Sequence, residues 1–160
     1  DMSLTPAQET TLAAHIRASQ DAAVIAALEI RNDVELARLY NLASATAAWQ
    51  SSMSGRDLFE ATDVTKFDGL TEGKRDAWRL LLDFAPIDAM RQKTRKAIQD
   101  VWGNADSVGV LQACTRKATV AEAALGGASA TTNTVSAMKL NFEGTLSTDD
   151  VSYALNRNPV

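Results

Sequence analysis

Two adjacent glycines constrain this chain most. A helical pattern runs to Leu125 and stops at Gly126-Gly127. The stretch Ala128 to Ser136 that follows is small or polar apart from Val135 and has no helical stripe. Such a run buries too little apolar surface to offset the entropy of ordering it. The apolar pattern then returns as Met138-Lys139-Leu140-Asn141-Phe142, alternating as a strand does. Ser147 caps a last short segment to Asn156, with Val151 and Leu155 on its inner face. The expected organisation is a helical body over 1–126 and an extended C-terminal arm over 127–160, the arm holding a short strand and a short helix. Fully extended, the linker from Gly127 to Ala137 spans up to ~36–40 Å, enough to reach a neighbouring subunit. Val135, Met138, Leu140, Phe142, Val151 and Leu155 are then the partner-binding anchors of the arm, and the Leu140-Asn141-Phe142 alternation suits addition to a sheet edge.

The body reads as an all-α helical bundle of about five to seven helices. Thr5-Pro6-Ala7-Gln8 supplies a cap, a proline at the first helical position and a glutamine three residues after the cap. Further helices are expected from Asp21 (with Val24, Ile25 and Leu28 on one face), from Asn32 or Asp33 (with Val34, Ala37, Leu39 and Tyr40), and over Thr46 to Met53 around Trp49. Leu58-Phe59 suits a short helix after Ser54 or an extended segment, and Val64 to Phe67 reads as extended. Thr71 caps a strong helix to Asp83, in which Trp78, Leu81 and Leu82 lie at i, i+3 and i+4. Asp88 is expected to cap a helix ended by Gly103-Asn104, with Ile98, Val101 and Trp102 inward. Asp106 is expected to cap a long helix to Leu125, lined by Val110, Leu111, Cys114, Ala118 and Ala121.

A net charge of −4 implies no bulk attraction to nucleic acid or to an anionic membrane. No apolar run approaches the ~18 residues of a membrane span. The opening Asp1-Met2-Ser3-Leu4-Thr5 has no basic leader, so a soluble protein folding in a cytoplasm is expected. Charge is uneven along the chain. Residues 1–60 hold 4 basic and 8 acidic side chains, residues 61–117 hold 10 and 8, and residues 118–160 hold 2 and 4. Oppositely biased halves suit a surface that meets a copy of itself head to tail, and they also suit plain solvated helices.

Chemistry is sparse. His15, the single histidine, borders the apolar stripe of the first helix and reads as a packed or surface side chain rather than a base. Cys114 reads as a core thiol rather than a nucleophile. No H-x-x-x-H, C-x-x-C or phosphate-loop pattern occurs, and Asp149-Asp150 suits the first turn of a helix better than a cation. No enzyme, cofactor or metal is expected. The sharpest local signal is basic: Lys74, Arg75, Arg79, Arg91, Lys93, Arg95 and Lys96, with only Asp76, Asp83 and Asp88 among them. Arg91 and Arg95 lie one helical turn apart, and with Lys96 they are candidate partner-binding residues for an acidic protein face or for DNA phosphate. The alternative is the solvated side of two helices.

Several stretches carry a resemblance. They are Leu70 to Trp78 (LTEGKRDAW), Arg91 to Gly103 (RQKTRKAIQDVWG), Cys114 to Glu122 (CTRKATVAE), Phe142 to Val151 (FEGTLSTDDV) and the opening Leu4-Thr5-Pro6-Ala7-Gln8. Together they resemble a family of small proteins encoded in the structural gene blocks of tailed bacteriophages and prophages. Within that group the chain is similar to head–tail connector (adaptor) proteins. The resemblance implies a structural subunit of the virion, made in the bacterial host cytoplasm. It would form a homo-oligomeric ring between portal protein and tail proteins, with DNA passing through the channel and no catalytic residue. The alternative function is a DNA-contacting or packaging accessory that uses the basic cluster 74–96.

Overall fold

Side chains that precede the apolar stripes set most helix starts. The structure, a computed structural model, describes residues 4–126 and 140–160. Thr5 closes a full capping box on α1 (Pro6–Ala18): its hydroxyl accepts from the Gln8 N–H at 3.2 Å, and its own N–H donates to the Gln8 side chain at 2.9 Å. Asp21 caps α2 (Ala22–Glu29) and Asn32 caps α3 (Asp33–Tyr40). The strand β1 (Ala43–Trp49) follows, then α4 (Gly55–Glu60) capped by Ser54, α5 (Val64–Asp68) capped by Asp63, and α6 (Glu72–Asp83) capped by Thr71. Arg91 begins α7 (Gln92–Ala113) without a side-chain cap. Asp88, expected there as the cap, accepts from the Met90 N–H at 2.9 Å in the preceding turn instead. The strand β2 (Thr115–Thr119) leads into α8 (Val120–Leu125), capped by Thr119, and Ser147 caps α9 (Thr148–Arg157).

Helix makes up 62% of the structure, in nine helices among the described residues, and β1 pairs with β2, so the fold is predominantly helical but not strictly all-α. The bonds Val120 N–H to Leu42 O at 2.9 Å and Gln50 N–H to Cys114 O at 2.8 Å run the two strands antiparallel.

Three local readings change. Thr46 to Trp49, read as helix, belongs to β1, because the pairing strand, distant in sequence, supplies the ladder. Val64 to Phe67, read as extended, is helical. The Asp63 carboxylate accepts from both the N–H and the hydroxyl of Thr65, at 3.0 and 2.6 Å, and this local turn outweighs the β preference of Val64 and Thr65. The expected long helix from Asp106 to Leu125 does not start at Asp106, which lies inside α7, and it is interrupted by β2; a further capping box, Thr119 with Glu122, restarts it as α8. Within α7 the backbone breaks at Gly103, where φ is +82°, a conformation that glycine adopts without a Cβ penalty.

The described residues form two compact units. Residues 4–45, 117–126 and 140–160 make the first, and residues 46–116 the second; β1 and β2 carry the chain across and back. The first has its own core of Leu12, Ile16, Val24, Leu36, Tyr40 and Leu125, completed by Phe142, Leu146, Val151 and Leu155. The second is built on Trp49, Trp78, Ile98, Trp102, Leu111 and Cys114, with Trp78 and Trp102 meeting edge to face at 5.4 Å between ring centroids.

The reading of residues 140–160 as part of an arm outside a body over 1–126 is therefore corrected; residues 127–139 lie outside the described residues. Residues 140–160 are core of the first unit, where α9 packs against α1 and α3. Polar fastenings hold it. Asn41 accepts from Leu146 N–H at 2.7 Å and donates to Leu146 O at 2.9 Å. Arg17 donates to the carbonyls of Leu155 and Asn158, which meets the unpaired carbonyl end of α9. The buried Glu122 carboxylate accepts from the Thr119 N–H at 2.8 Å and from the Gly144 N–H at 3.0 Å. Leu140 and Asn141 form no strand; Asn141 instead donates to the carbonyls of Gly126 and Leu125 at 3.2 and 2.8 Å.

Candidate functional site

Among the described residues no three His, Cys, Asp or Glu side chains gather as a metal site, and no helix is long and apolar enough to cross a membrane. His15, exposed on α1, meets the buried Tyr40 hydroxyl at 2.7 Å. Burial, with the Asp21 charge added, pushes the Tyr40 hydroxyl well above its ordinary value. Cys114 is fully buried, and burial pushes its thiol up to about 12, so at neutral pH it is a packed, protonated side chain.

The surfaces carry more. On the second unit, Leu80 and Phe84 stand 58% and 67% exposed, one turn apart at the end of α6. Phe84 borders an open groove of about 390 Å³ with Leu81, Pro86 and Ile87 as apolar wall and Asp88, Arg91 and Thr94 as polar rim. A smaller cavity of about 210 Å³ lies beside Trp102 and Val110, where Lys66 donates to Asp106 at 2.8 Å. That bond, and the Asp106 charge with it, raises the Lys66 pKa.

The predicted basic residues divide. Arg91 is exposed at the start of α7, 3.6 Å from Asp88, and Lys96 is exposed one turn further on. Arg95 is not on that surface. It is completely buried, its Nη1 donating to the carbonyls of Ala89 and Met90 at 2.7 and 2.8 Å, and its guanidinium lies 4.8 Å from the centre of the Trp49 ring. Burial lowers its pKa, opposed by Asp88. Arg95 is thus corrected from a partner contact to a core cation: it ties the first turn of α7 to the segment before it. Spacing of one turn put Arg91 and Arg95 together, but the core side of the helix claims Arg95. Exposed basic side chains remain in Lys74, Arg79, Arg91, Lys93 and Lys96.

The predicted arm anchors divide as well. Leu140, Phe142, Val151 and Leu155 are buried in the first core and are not free for a partner. Val135 and Met138 lie outside the described residues.

What sequence reasoning missed is an exposed apolar corner on the first unit. Ile30 is 74% exposed and Val34 66%, at the junction of α2 and α3, and Ile25, in the middle of α2, is 41% exposed. The junction is a Schellman closure: Asn32 N–H donates to Ala27 O at 2.9 Å and Arg31 N–H to Leu28 O at 3.0 Å. Arg31 holds the left-handed position at φ +51°, where glycine is usual. Its guanidinium pairs with Asp33 and donates to Asn156 at 3.0 Å. A signal was present in the sequence. Ile25 directly follows the buried Val24, and Ile30 stands at the C-cap beyond α2, so neither falls on the stripe that α2 buries.

Charge follows the same division. The first unit carries five basic and nine acidic side chains among its described residues, the second ten of each. Locally the contrast is sharper: residues 21–38 hold two basic and four acidic side chains, and residues 74–96 hold seven and three. Compared with known protein families, with curated proteins and with solved structures, the chain finds no match.

Proposed function

We propose that this chain is a structural subunit that assembles with copies of itself into a ring, acting as a connector between portal and tail in a tailed-phage particle. The observation that carries the reading is that each unit closes a core of its own and still leaves large apolar side chains grouped in water, Ile30 and Val34 on the first and Leu80 and Phe84 on the second. Grouped exposure of this kind is characteristic of surfaces that meet another protein. The opposite charge bias of the two surfaces favours contact between copies. The portal-and-tail assignment rests on the sequence resemblance alone.

Native mass spectrometry with negative-stain microscopy of the purified protein tests it. A closed ring of fixed subunit number is the expected result. A monodisperse monomer at tens of micromolar overturns the reading. A DNA-contacting role is supported by the exposed Lys74, Arg79, Arg91, Lys93 and Lys96. DNA retention by the protein that falls steeply with salt would favour it over the ring.

A further inference from the structure

The geometry points to the contact itself: the α2–α3 corner of one copy seats on the α6 groove of a second copy, Ile30 entering the apolar wall formed by Phe84 and Pro86. This rests on the self-assembly reading above and names the surfaces that would perform it. Four observations lead to it.

The corner is a projection and the groove a recess. Ile30 stands at the tip of a closed turn, 74% exposed, while Leu81, Phe84, Pro86 and Ile87 line an open cavity of about 390 Å³. Among the described residues, Ile30 and Phe84 both stay open to solvent.

The corner is rigid. The Schellman bonds, the Asn32 cap on α3 and the Arg31 contacts with Asp33 and Asn156 fix its backbone before any encounter. Little conformational freedom is then lost on docking, which favours affinity.

The flanks are complementary. Glu29 is exposed beside Ile30, whose other neighbour Arg31 pairs with Asp33; on the groove rim Arg91 lies 3.6 Å from Asp88, and exposed Lys93 and Lys96 follow it. The net acidic excess of residues 21–38 and the net basic excess of residues 74–96 favour this pairing over corner-to-corner or groove-to-groove contacts.

Both halves of the contact lie on every copy. Two different faces that meet head to tail leave one of each unfilled at the ends, so the contact propagates until the rotation closes a ring or continues as a filament.

The test uses the full chain and two variants, Ile30→Asp and Phe84→Asp. Both positions are exposed, so helical circular dichroism matching wild type is the fold control. Each variant alone should lose self-association by about tenfold to a hundredfold or more in sedimentation velocity, because a charge replaces the buried apolar anchor. Mixed one to one, they should recover a single contact and stop at a 1:1 heterodimer: the Ile30 variant still presents a groove, and the Phe84 variant still presents a corner. Raising salt from ~0.05 to ~0.5 M should weaken the heterodimer. If only one variant loses association and the mixture forms no heterodimer, the contact is like with like and the inference falls. If wild type forms rings and both variants form them equally well, the inference falls while the ring reading stands. If the mixing pattern holds but wild type gives open filaments, the inference stands and the ring falls. A wild type that stays monomeric overturns both.

Discussion

Leu155→Ala separates a docked C-terminal segment from a free one. Leu155 is 2% exposed, on α9, in the core shared with α1 and α3. Truncation to alanine removes three buried carbons, about 2.4 kcal/mol at ~0.8 kcal/mol per group. A residual cavity on the order of 50 Å³ adds roughly 1.2 kcal/mol at ~24 cal/mol per Å³, for a total near 3.6 kcal/mol. A unit of roughly 75 residues has about 4–11 kcal/mol in all, so a third or more of its stability goes. The corresponding fall in Tm is roughly 15–25 °C for that unit. The chain allows each unit to be followed separately. Tyr40 and Tyr153 both lie in the first, and Trp49, Trp78 and Trp102 all lie in the second. Near-ultraviolet tyrosine dichroism and hydrogen exchange of α1 and α3 peptides read the first unit, and tryptophan fluorescence reads the second. Exchange in α1 and α3 should speed by two orders of magnitude or more, and deletion of 140–160 should unfold the first unit outright. Wild-type protection of α1 and α3 in Leu155→Ala would mean that α9 is a detachable arm and that its burial contributes nothing.

Arg95→Met should lower the urea midpoint read by tryptophan fluorescence, with a loss of about 2–4 kcal/mol, because the Ala89 and Met90 carbonyls lose charged donors. Lys96→Met, on the exposed side of the same helix, should stay within about 0.5 kcal/mol, and equal effects from the two would remove Arg95 from the core. The Cys114 thiol, pushed up to about 12 by burial, stays protonated in the folded chain while an unfolded thiol near 9 has already ionised. Its contribution is therefore fully present below pH ~9 and is lost as pH rises from there toward 12. Alkaline urea titration should show that decline, and Cys114→Ala should flatten it. At pH 8 the folded protein should resist a thiol reagent that labels the urea-unfolded chain at once, and rapid labelling of the folded form would refute its burial.

The sequence by itself determined the local starts of structure. Thr5, Asp21, Asn32, Thr71 and Ser147 begin helices where their spacing to the next apolar residues says they should, because a cap acts through backbone groups two or three residues away. It determined much of the core too: Trp78, Ile98 and Trp102 are buried, as are Leu12, Ile16 and Val24. Of the candidate partner residues, Arg91 and Lys96 are on the surface, while Arg95 is not. Tertiary structure decided everything that depends on a partner far along the chain. β1 exists because β2 lies some 70 residues away to pair with it. Arg95 is internal because Trp49 and two carbonyls surround its charge. Phe142, Val151 and Leu155 face inward because α1 and α3 leave an apolar surface that the early helices cannot close alone. An amphipathic segment looks the same in sequence whether its apolar face meets its own core or a neighbour, since hydrophobic burial has no direction and rewards any surface that excludes water.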